Sequence, residues 1–515
     1  MSIVDKIDSN STGLHICVED SFKTVSGDEV WNQFEPNEYA DFGPEYTTTP
    51  RSPIRPDRQR RKGPITDQEV PAGFQMDLQY GSFFNIINHY MMAAYRSKGI
   101  ESVTAVDIDG ANPDEYEVAS TTGFLVGSLV LGRNFTNPGN NTMNAVTAVV
   151  TDTSVEVATG TLTAEASPPS DADIVVVGYQ FGSGELDVDV TTGVLPRLNR
   201  ASGSLDFTTL GLAAGEWIYV GGDAANTSFA TAQNGYMRVR SVAATYIEID
   251  KAPAALVADA GSGKTIQIFF GNFLKNEQQA LFVHNFLQIE RALGAPESTQ
   301  PTQIQYEYLT GQTASELKIN LAGQDKITLD CSFMGADHEP VAHTASRKGG
   351  TFNSASTDDA FNTTSDVASI TVAQAQSDSE YIAPLFGYVQ EMSITLNNNV
   401  TLNKAIGSLG GFDATAGEFM VSAEIKAYFK TVQILTDRKN NIDVTLDAHL
   451  MKDNKGITID MPLIGMASGI PEVEANEPIF LPLNVDAVSG EDVDAAQNHT
   501  LSFTLFDWLP NAANS

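Results

Sequence analysis

A pattern of apolar residues that occurs twice, in residues 72–91 and 416–435, constrains the fold more than any other feature of this sequence. The two stretches read AGFQMDLQYGSFFNIINHYM and AGEFMVSAEIKAYFKTVQIL, and they match at an offset of 345 positions. The first matched positions alternate, as in a strand with one buried face, and the later ones recur every three or four residues, as in a helix. This predicts a duplicated strand–helix domain; a chance match is the alternative. The residues assigned to its core are Phe74, Phe83, Phe84 and Ile87 in the first copy and Phe419, Tyr428, Phe429 and Val432 in the second.

A second repeat, with an offset of 92 positions, lies between the two strand–helix stretches. Residues 151–157 (TDTSVEV) match 243–249 (AATYIEI), and 173–181 (DIVVVGYQF) match 265–273 (TIQIFFGNF). Short alternating runs rich in Val and Thr are typical of strands. The shared spacing predicts two small β modules inserted one after the other, and chance similarity between such strands is the alternative.

The charge balance excludes one class of function. The 515 residues include 65 acidic and 30 basic side chains, a formal net charge of −35. Such a chain repels duplex DNA, so a sequence-reading DNA-binding protein is excluded. Cys17 and Cys331 are too few for a disulfide framework, and free thiols are favoured over a single bridge. With no signal-peptide core and no run of roughly 20 apolar residues, a soluble product made in a cytoplasm is expected.

A basic segment stands out in this acidic chain. Prolines within residues 50–64 oppose a regular helix. We expect the segment to contact the acidic surface of another copy of the protein; a solvated loop or a weak nucleic-acid patch is the alternative. Its basic residues are Arg51, Arg55, Arg58, Arg60, Arg61 and Lys62. Residues 1–50 are interpreted as an extended arm anchored by Trp31 and Phe34.

Helical periodicity is scarce elsewhere, so the predicted fold class is mainly β. Residues 303–335 are interpreted as three alternating strands that break at Gly311 and at 323–325, and residues 342–366 as a long polar loop. The predicted division is an N-terminal arm (1–50), a discontinuous first domain (51–101 and 274–341), module A (102–184), module B (185–273), a polar linker (342–385) and a second domain (386–515).

Two motifs resemble binding sites but lack the required context. ADAGSGKT (258–265) fits a loose phosphate-binding loop, yet a strand pattern follows where such a loop needs a helix. The matching position in the other module reads PPSDAD, so a turn between strands explains both. HEPVAH (338–343) is one residue too long for two zinc-binding histidines on one helical face, and Pro340 interrupts it. We predict no catalytic residues, no cofactor, no metal site and no enzymatic activity.

Four segments in a fixed order resemble the major tail tube protein of long, non-contractile-tailed bacteriophages. They are RSPIRPDRQRRKGPITDQEVPAGF (51–74), YEYLTGQ (306–312), SITLNNNVTLNKAIGSLGGFDATAGEF (393–419) and DMPL (460–463). The likeness covers roughly residues 50–100 and 275–510. It implies a fold of two packed β-sheets flanked by a short helix, carried twice here, with the two β modules as insertions.

The resemblance also implies an assembly. Family members form hexameric rings in which neighbouring inner sheets close into one barrel around a lumen. A duplicated domain would give a trimer with pseudo-sixfold symmetry, and an unduplicated one a hexamer. The implied partners are stacked rings of the same protein and the tail terminator, distal tail and tape-measure proteins. The implied location is the virion tail, made in the host bacterial cytoplasm, with no membrane partner.

Our hypothesis is that phage DNA passes through the lumen without specific binding because acidic side chains of the inner sheet repel it. The basic arm would then bridge stacked rings, and the modules would lie outside. The rival interpretation is a secreted or cell-surface β-sandwich adhesin, which the repeated modules fit. A third, an enzyme with a β-rich substrate domain, rests only on GSGKT.

Overall fold

The computed structural model describes residues 6–7, 9, 12–54, 56, 59, 61–108, 113–230, 234–296, 303–342, 347–376 and 378–514. The fold is mainly β, as predicted. Among the described residues, no helix is long and apolar enough to cross a membrane.

The chain order of the elements is as follows. The N-terminal part contains β1 (Gly13–Val18), β2 (Val30–Phe34), β3 (Pro36–Ala40), β4 (Glu45–Thr48), β5 (Ile65–Asp77) and α1 (Tyr80–Met91). Next come β6 (Ile100–Asp107), β7 (Asp114–Val118), β8 (Ser128–Arg133), β9 (Met143–Val150), β10 (Ser154–Val157), β11 (Asp173–Gln180), β12 (Leu186–Asp189), β13 (Arg197–Arg200), β14 (Trp217–Val220), β15 (Gly235–Ala243), β16 (Tyr246–Lys251) and β17 (Gln267–Phe269). Then follow β18 (Asn272–Lys275), β19 (Leu287–Gly294), β20 (Gln305–Leu321), β21 (Thr328–Gly335), β22 (Asp337–Ala342) and β23 (Thr351–Asn353). The C-terminal part contains β24 (Val367–Gln374), β25 (Val389–Asn397), β26 (Thr401–Lys404), β27 (Gly411–Thr415), β28 (Met420–Tyr428), α2 (Gln433–Lys439), β29 (Val444–Lys452), β30 (Lys455–Ser468), β31 (Phe480–Val488) and β32 (Ser502–Phe506).

The strand pairing repeats along the main sheet. In the first unit, β5 runs into α1 and pairs with β3 and β21, while β20 pairs with β19, β21 and β22. In the second unit, β28 runs into α2 and pairs with β25 and β31, while β30 pairs with β29, β31 and β32. The outer pairs β1–β19 and β24–β29 also correspond. The two units therefore share one topology. Among the described residues, the pairing of β20 with β25 joins the sheet β3–β5–β21–β20 of the first unit to the sheet β25–β28–β31–β30 of the second, and we call the combined sheet the inner sheet.

The inserted strands β6–β17 form a separate sheet that also repeats. The pairs β6–β7, β7–β10, β9–β10, β8–β9 and β8–β11 have the counterparts β12–β13, β13–β16, β15–β16, β14–β15 and β14–β17. The side chain of Asn141 bonds both the N–H and the C=O of Phe135, and Asn234 does the same to Phe229. Both six-strand halves thus share local contacts as well as pairing.

The main core lies between the strands and α1. Phe83, Ile86, Ile87 and Tyr90 recur on one side of α1 and are buried against the sheet. Alternate residues of β5, such as Phe74 and Met76, fill the same core. Fully burying side chains of this size contributes about 1.5–3 kcal/mol each, so this face holds the strand–helix unit together.

The structure corrects three of the expectations. Residues 13–40 are not an arm, because β1, β2 and β3 are paired strands of the main sheet and Trp31 and Phe34 are buried. The predicted break at Gly311 is absent: β20 runs through it, and a bulge in the β19 pairing takes up the positive φ of 63°. The segment 342–385 is not a simple linker, because β24 within it pairs with β29.

In the second copy of the strand–helix pattern, the helix begins later in the sequence than predicted. β28 continues to Tyr428 and α2 begins only at Gln433, so Tyr428 and Val432 do not lie on a buried helical stripe. Tyr428 is 40% exposed and Val432 66% exposed, whereas Phe419 and Phe429 are partly buried against the core. Of the first-copy residues, Phe84 is partly buried and the others are buried.

Candidate functional site

The inner sheet has a polar face opposite the core. Its eight antiparallel strands lie in the order β3–β5–β21–β20–β25–β28–β31–β30. One row of directly opposed residues crosses all of them: Glu38, Gln75, Asp330, Lys318, Thr395, Ser422, Asp486 and Gly465. Because side chains alternate along a strand and the core residues occupy the other face, this row points away from the core.

Acidic side chains outnumber basic ones on this surface, which we call the acidic face. Its carboxylates belong to Glu38, Asp77, Glu316, Asp330, Glu391, Glu424 and Asp486. Its lysines are Lys318, opposite Asp330, and Lys426, opposite Glu391. Each lysine therefore faces a carboxylate on the next strand, and the face as a whole is anionic.

Amide side chains hold several of these carboxylates in place. Asp330 accepts hydrogen bonds from Gln75 (2.7 Å) and Asn320 (2.8 Å). Asp77 accepts one from Asn37 (2.6 Å), and Asn397 donates one to Glu316 (2.7 Å). Asn and Gln neutralise no charge, so these bonds only orient the carboxylates. Asp77 is also paired with Lys326 at 2.7 Å, and with seven carboxylates against three lysines the face stays negative.

The eight-strand sheet has two open edges. In the described part of the chain, β3 pairs only with β5, whereas its counterpart β25 pairs with both β28 and β20. At the other end, residues 465–468 of β30 pair with β31, and among the described residues no strand pairs with them on the side where β20 carries β25. The two edges left open are therefore the counterparts of the two that pair inside the chain.

Two hairpins project from corresponding positions. β4 and the first half of β5 form one between β3 and β5, and β26 and β27 form the other between β25 and β28. Lys404 Nζ of the second lies 2.6 Å from Asp67 and from Glu69 of the first. The basic segment connects β4 to β5. The backbones of Arg51 and Arg61 form an isolated antiparallel β-bridge across it, and Arg51, Arg61 and Lys62 are exposed. Arg55, Arg58 and Arg60 lie outside the described residues.

The motifs singled out in the sequence have structural roles. Residues 258–265 form a turn before β17, not a loop that opens a helix, and Lys264 Nζ donates to the Ala225 carbonyl at 2.5 Å. His338 lies on β22, 3.2 Å from Glu307, and His343 lies outside the described residues. No group of three or more potential metal ligands occurs among the residues that the structure describes.

Sequence reasoning missed the ion pairs that fasten the modules to the second unit. Arg238 of β15 contacts Asp250 (2.9 Å) and Asp460 of β30 (3.1 Å), all buried. Lys251 of β16 pairs with the buried Asp447 of β29. Arg238 and Asp460 are 222 residues apart in sequence, and Lys251 and Asp447 are 196 apart, so no local pattern signals these contacts.

A family model described as phage tail tube protein matches residues 195–487, more than half of the chain. The matched part begins in module B and extends through β18–β30 into β31, and therefore includes the joint between the two units and most of the acidic face. No curated protein matches the chain.

Proposed function

The chain belongs to the phage tail tube protein family, structural components of the virion tail, and we propose that three copies of it close into a ring with pseudo-sixfold symmetry. Each copy would supply two tube units, and stacked rings would form the hollow tube through which the phage DNA passes.

The observation that carries this proposal is the β20–β25 joint within the chain. Residues 316–321 of β20 pair with 392–397 of β25, and in the described part of the chain the corresponding edges, 465–468 of β30 and β3, are open. An open strand edge is a template for pairing with another chain. If β3 of one copy pairs with β30 of the next, every junction in the ring repeats the internal one. Such a head-to-tail contact closes into a ring when its rotation allows.

The dimensions of such a ring suit a channel. Three eight-strand sheets give 24 strands. With strands about 4.8 Å apart and tilted about 40°, the barrel would be about 48 Å across between backbones. The acidic face would line it because the opposite face is filled by the core. Duplex DNA has about one negative charge per 1.7 Å, so an anionic wall would repel it and leave it mobile.

The two hairpins would extend from the ring along the tube axis. We propose that the basic connection 51–62 contacts the next ring, whose net charge is strongly negative. Neutralising its six basic residues should shorten or abolish rods while leaving single rings. Tail terminator, distal tail and tape-measure proteins would be the partners at the tube ends and in the lumen.

A pair of complementary variants tests the ring. Glu38→Pro disrupts the β3 edge and Ser468→Pro the β30 edge, since proline is poorly tolerated in a paired strand. Each variant alone should stay monomeric with an unchanged circular dichroism spectrum, and Glu38→Ala and Ser468→Ala should still assemble. Mixed in equal amounts, the two proline variants should form heterodimers and nothing larger, because the intact β30 edge of one can pair only with the intact β3 edge of the other. Rods or rings from either folded proline variant would contradict the proposed pairing.

A further inference from the structure

Lys275, at the end of β18, is a buried lysine with an unusual partner. Only 6% of it is exposed, and within the described ranges it has no ion pair. Its Nζ lies 2.6 Å from the side-chain oxygen Oδ1 of Asn498. Lysines are almost never fully buried unless they are paired with a charge. A buried amine held against a side-chain amide therefore calls for a chemical explanation.

The surrounding backbone holds the two side chains together. β18 pairs with β32, and Lys275 lies directly opposite Ser502. The side-chain oxygen of Asn276 accepts the N–H groups of Thr500 (2.9 Å) and Leu501 (3.1 Å). Asn498 precedes this clamp by two residues and is partly buried, and its side-chain oxygen accepts the bond from Lys275. Such fixed proximity favours a reaction between the two groups.

The site also favours the uncharged amine. Burial lowers the pKa of Lys275, as does the nearby positive charge of Arg96, while Glu277 opposes the shift. Glu277 is itself held by Arg96 at 2.6 Å. The neutral amine is the nucleophilic form of lysine.

We propose that Lys275 and Asn498 join in an intramolecular isopeptide bond. Nζ of Lys275 attacks Cγ of Asn498, the Nζ–Cγ bond forms and the Cγ–Nδ2 bond breaks. The proton that the amine loses goes to Nδ2, and the nitrogen leaves as ammonia. The step needs no oxidant, metal or co-reactant, and escape of ammonia makes it irreversible.

The bond would fasten two distant parts of the chain. β18 is the strand by which the chain returns from the modules to the main sheet, and Asn498 lies just before the last strand, β32. Cross-links that close long loops restrict the unfolded chain most. The bond would thus tie the module insertion to the C-terminal strand of the second unit.

Intact mass of the full-length purified protein in denaturant tests the proposal. The expected mass is lower than that of the sequence by one molecule of ammonia, and digestion should yield a branched peptide joining residues 275 and 498. Lys275→Met and Asn498→Ala should each restore the sequence mass. Lys251→Met, which removes a different, partly buried lysine, should keep the loss. A folded wild-type protein with the full sequence mass would overturn the proposal.

Discussion

Arg238→Met is the substitution with the largest expected effect on how the inserted modules are fastened. The guanidinium group bridges Asp250 in module B and Asp460 in the second unit, with the nearest nitrogen–oxygen distances at 2.9 and 3.1 Å. Gln497 also donates to Asp250 at 2.7 Å. Methionine retains much of the apolar stem, so the change removes chiefly the positive charge.

The expected loss of stability follows from the two carboxylates that the substitution leaves without their arginine. Asp460 is fully buried and Asp250 nearly so, and removing one partner of a buried pair costs about 3–5 kcal/mol because the other charge stays unpaired. The positive charge of Arg238 holds the pKa of Asp460 low against the opposing effect of burial. Without it, burial raises that pKa, and the folded protein prefers a protonated Asp460. The destabilisation should then be largest at neutral pH and diminish as pH falls through the raised pKa.

Urea unfolding of the full chain at pH 7 and pH 5 measures both effects. Arg238→Met should lose about 3–5 kcal/mol at pH 7 and less at pH 5, and limited proteolysis should cut earlier near residues 94–99 and 270–272, which connect the modules to the main sheet. Arg51→Met, an exposed arginine on the hairpin connection, is the matched control and should change little. A loss below about 1 kcal/mol, typical of exposed ion pairs, or a loss independent of pH would refute the reasoning.

Three other predictions concern the acidic face, a buried acid and the core. Rods carrying Glu391→Lys, Glu424→Lys and Asp486→Lys should bind duplex DNA at low salt and release it as salt rises, while wild-type rods and rods with Asp152→Lys and Asp171→Lys in module A should not. Burial raises the pKa of Glu19 to about 7, above about 4.3 for an unfolded chain; stability should therefore fall as pH rises through 7, and Glu19→Gln should remove this fall in urea titrations. Phe83→Ala should lower the free energy of unfolding of the monomer by about 3–5 kcal/mol. Val432→Ala, at an exposed position, should lower it by less than about 0.5 kcal/mol; equal losses in urea unfolding would contradict the assigned burial.

The sequence predicts the mainly β fold and the family, because alternation and motif order are local signals. Phe74, Phe83 and Ile87 are buried as the first strand–helix pattern predicts. Tyr428 and Val432 are not, because apolar periodicity does not distinguish a side chain that the chain itself buries from one that it leaves exposed. The acidic residues of the inner sheet could not be named from sequence, since a shift of one residue in register moves every side chain to the other face.

Contacts between segments distant in sequence could not be predicted for a related reason. Arg238 and Asp460 meet only once two separate sheets have formed and packed, and Lys275 and Asn498 meet only once β18 has paired with the distant β32. The open edges at β3 and β30 likewise have no sequence signature, because they are recognised only by comparison with the β20–β25 joint. Strand pairing between distant segments depends on the whole topology and cannot be read from local propensity.

Electron cryo-microscopy of assembled rods at side-chain resolution tests the central claim most directly. We expect rings of three chains in which β3 of each copy pairs with residues 465–468 of the next, around a bore lined by Asp77, Glu316, Asp330, Glu391, Glu424 and Asp486. Rings of six chains, a bore lined by lysine and arginine, or rods without a bore would contradict it.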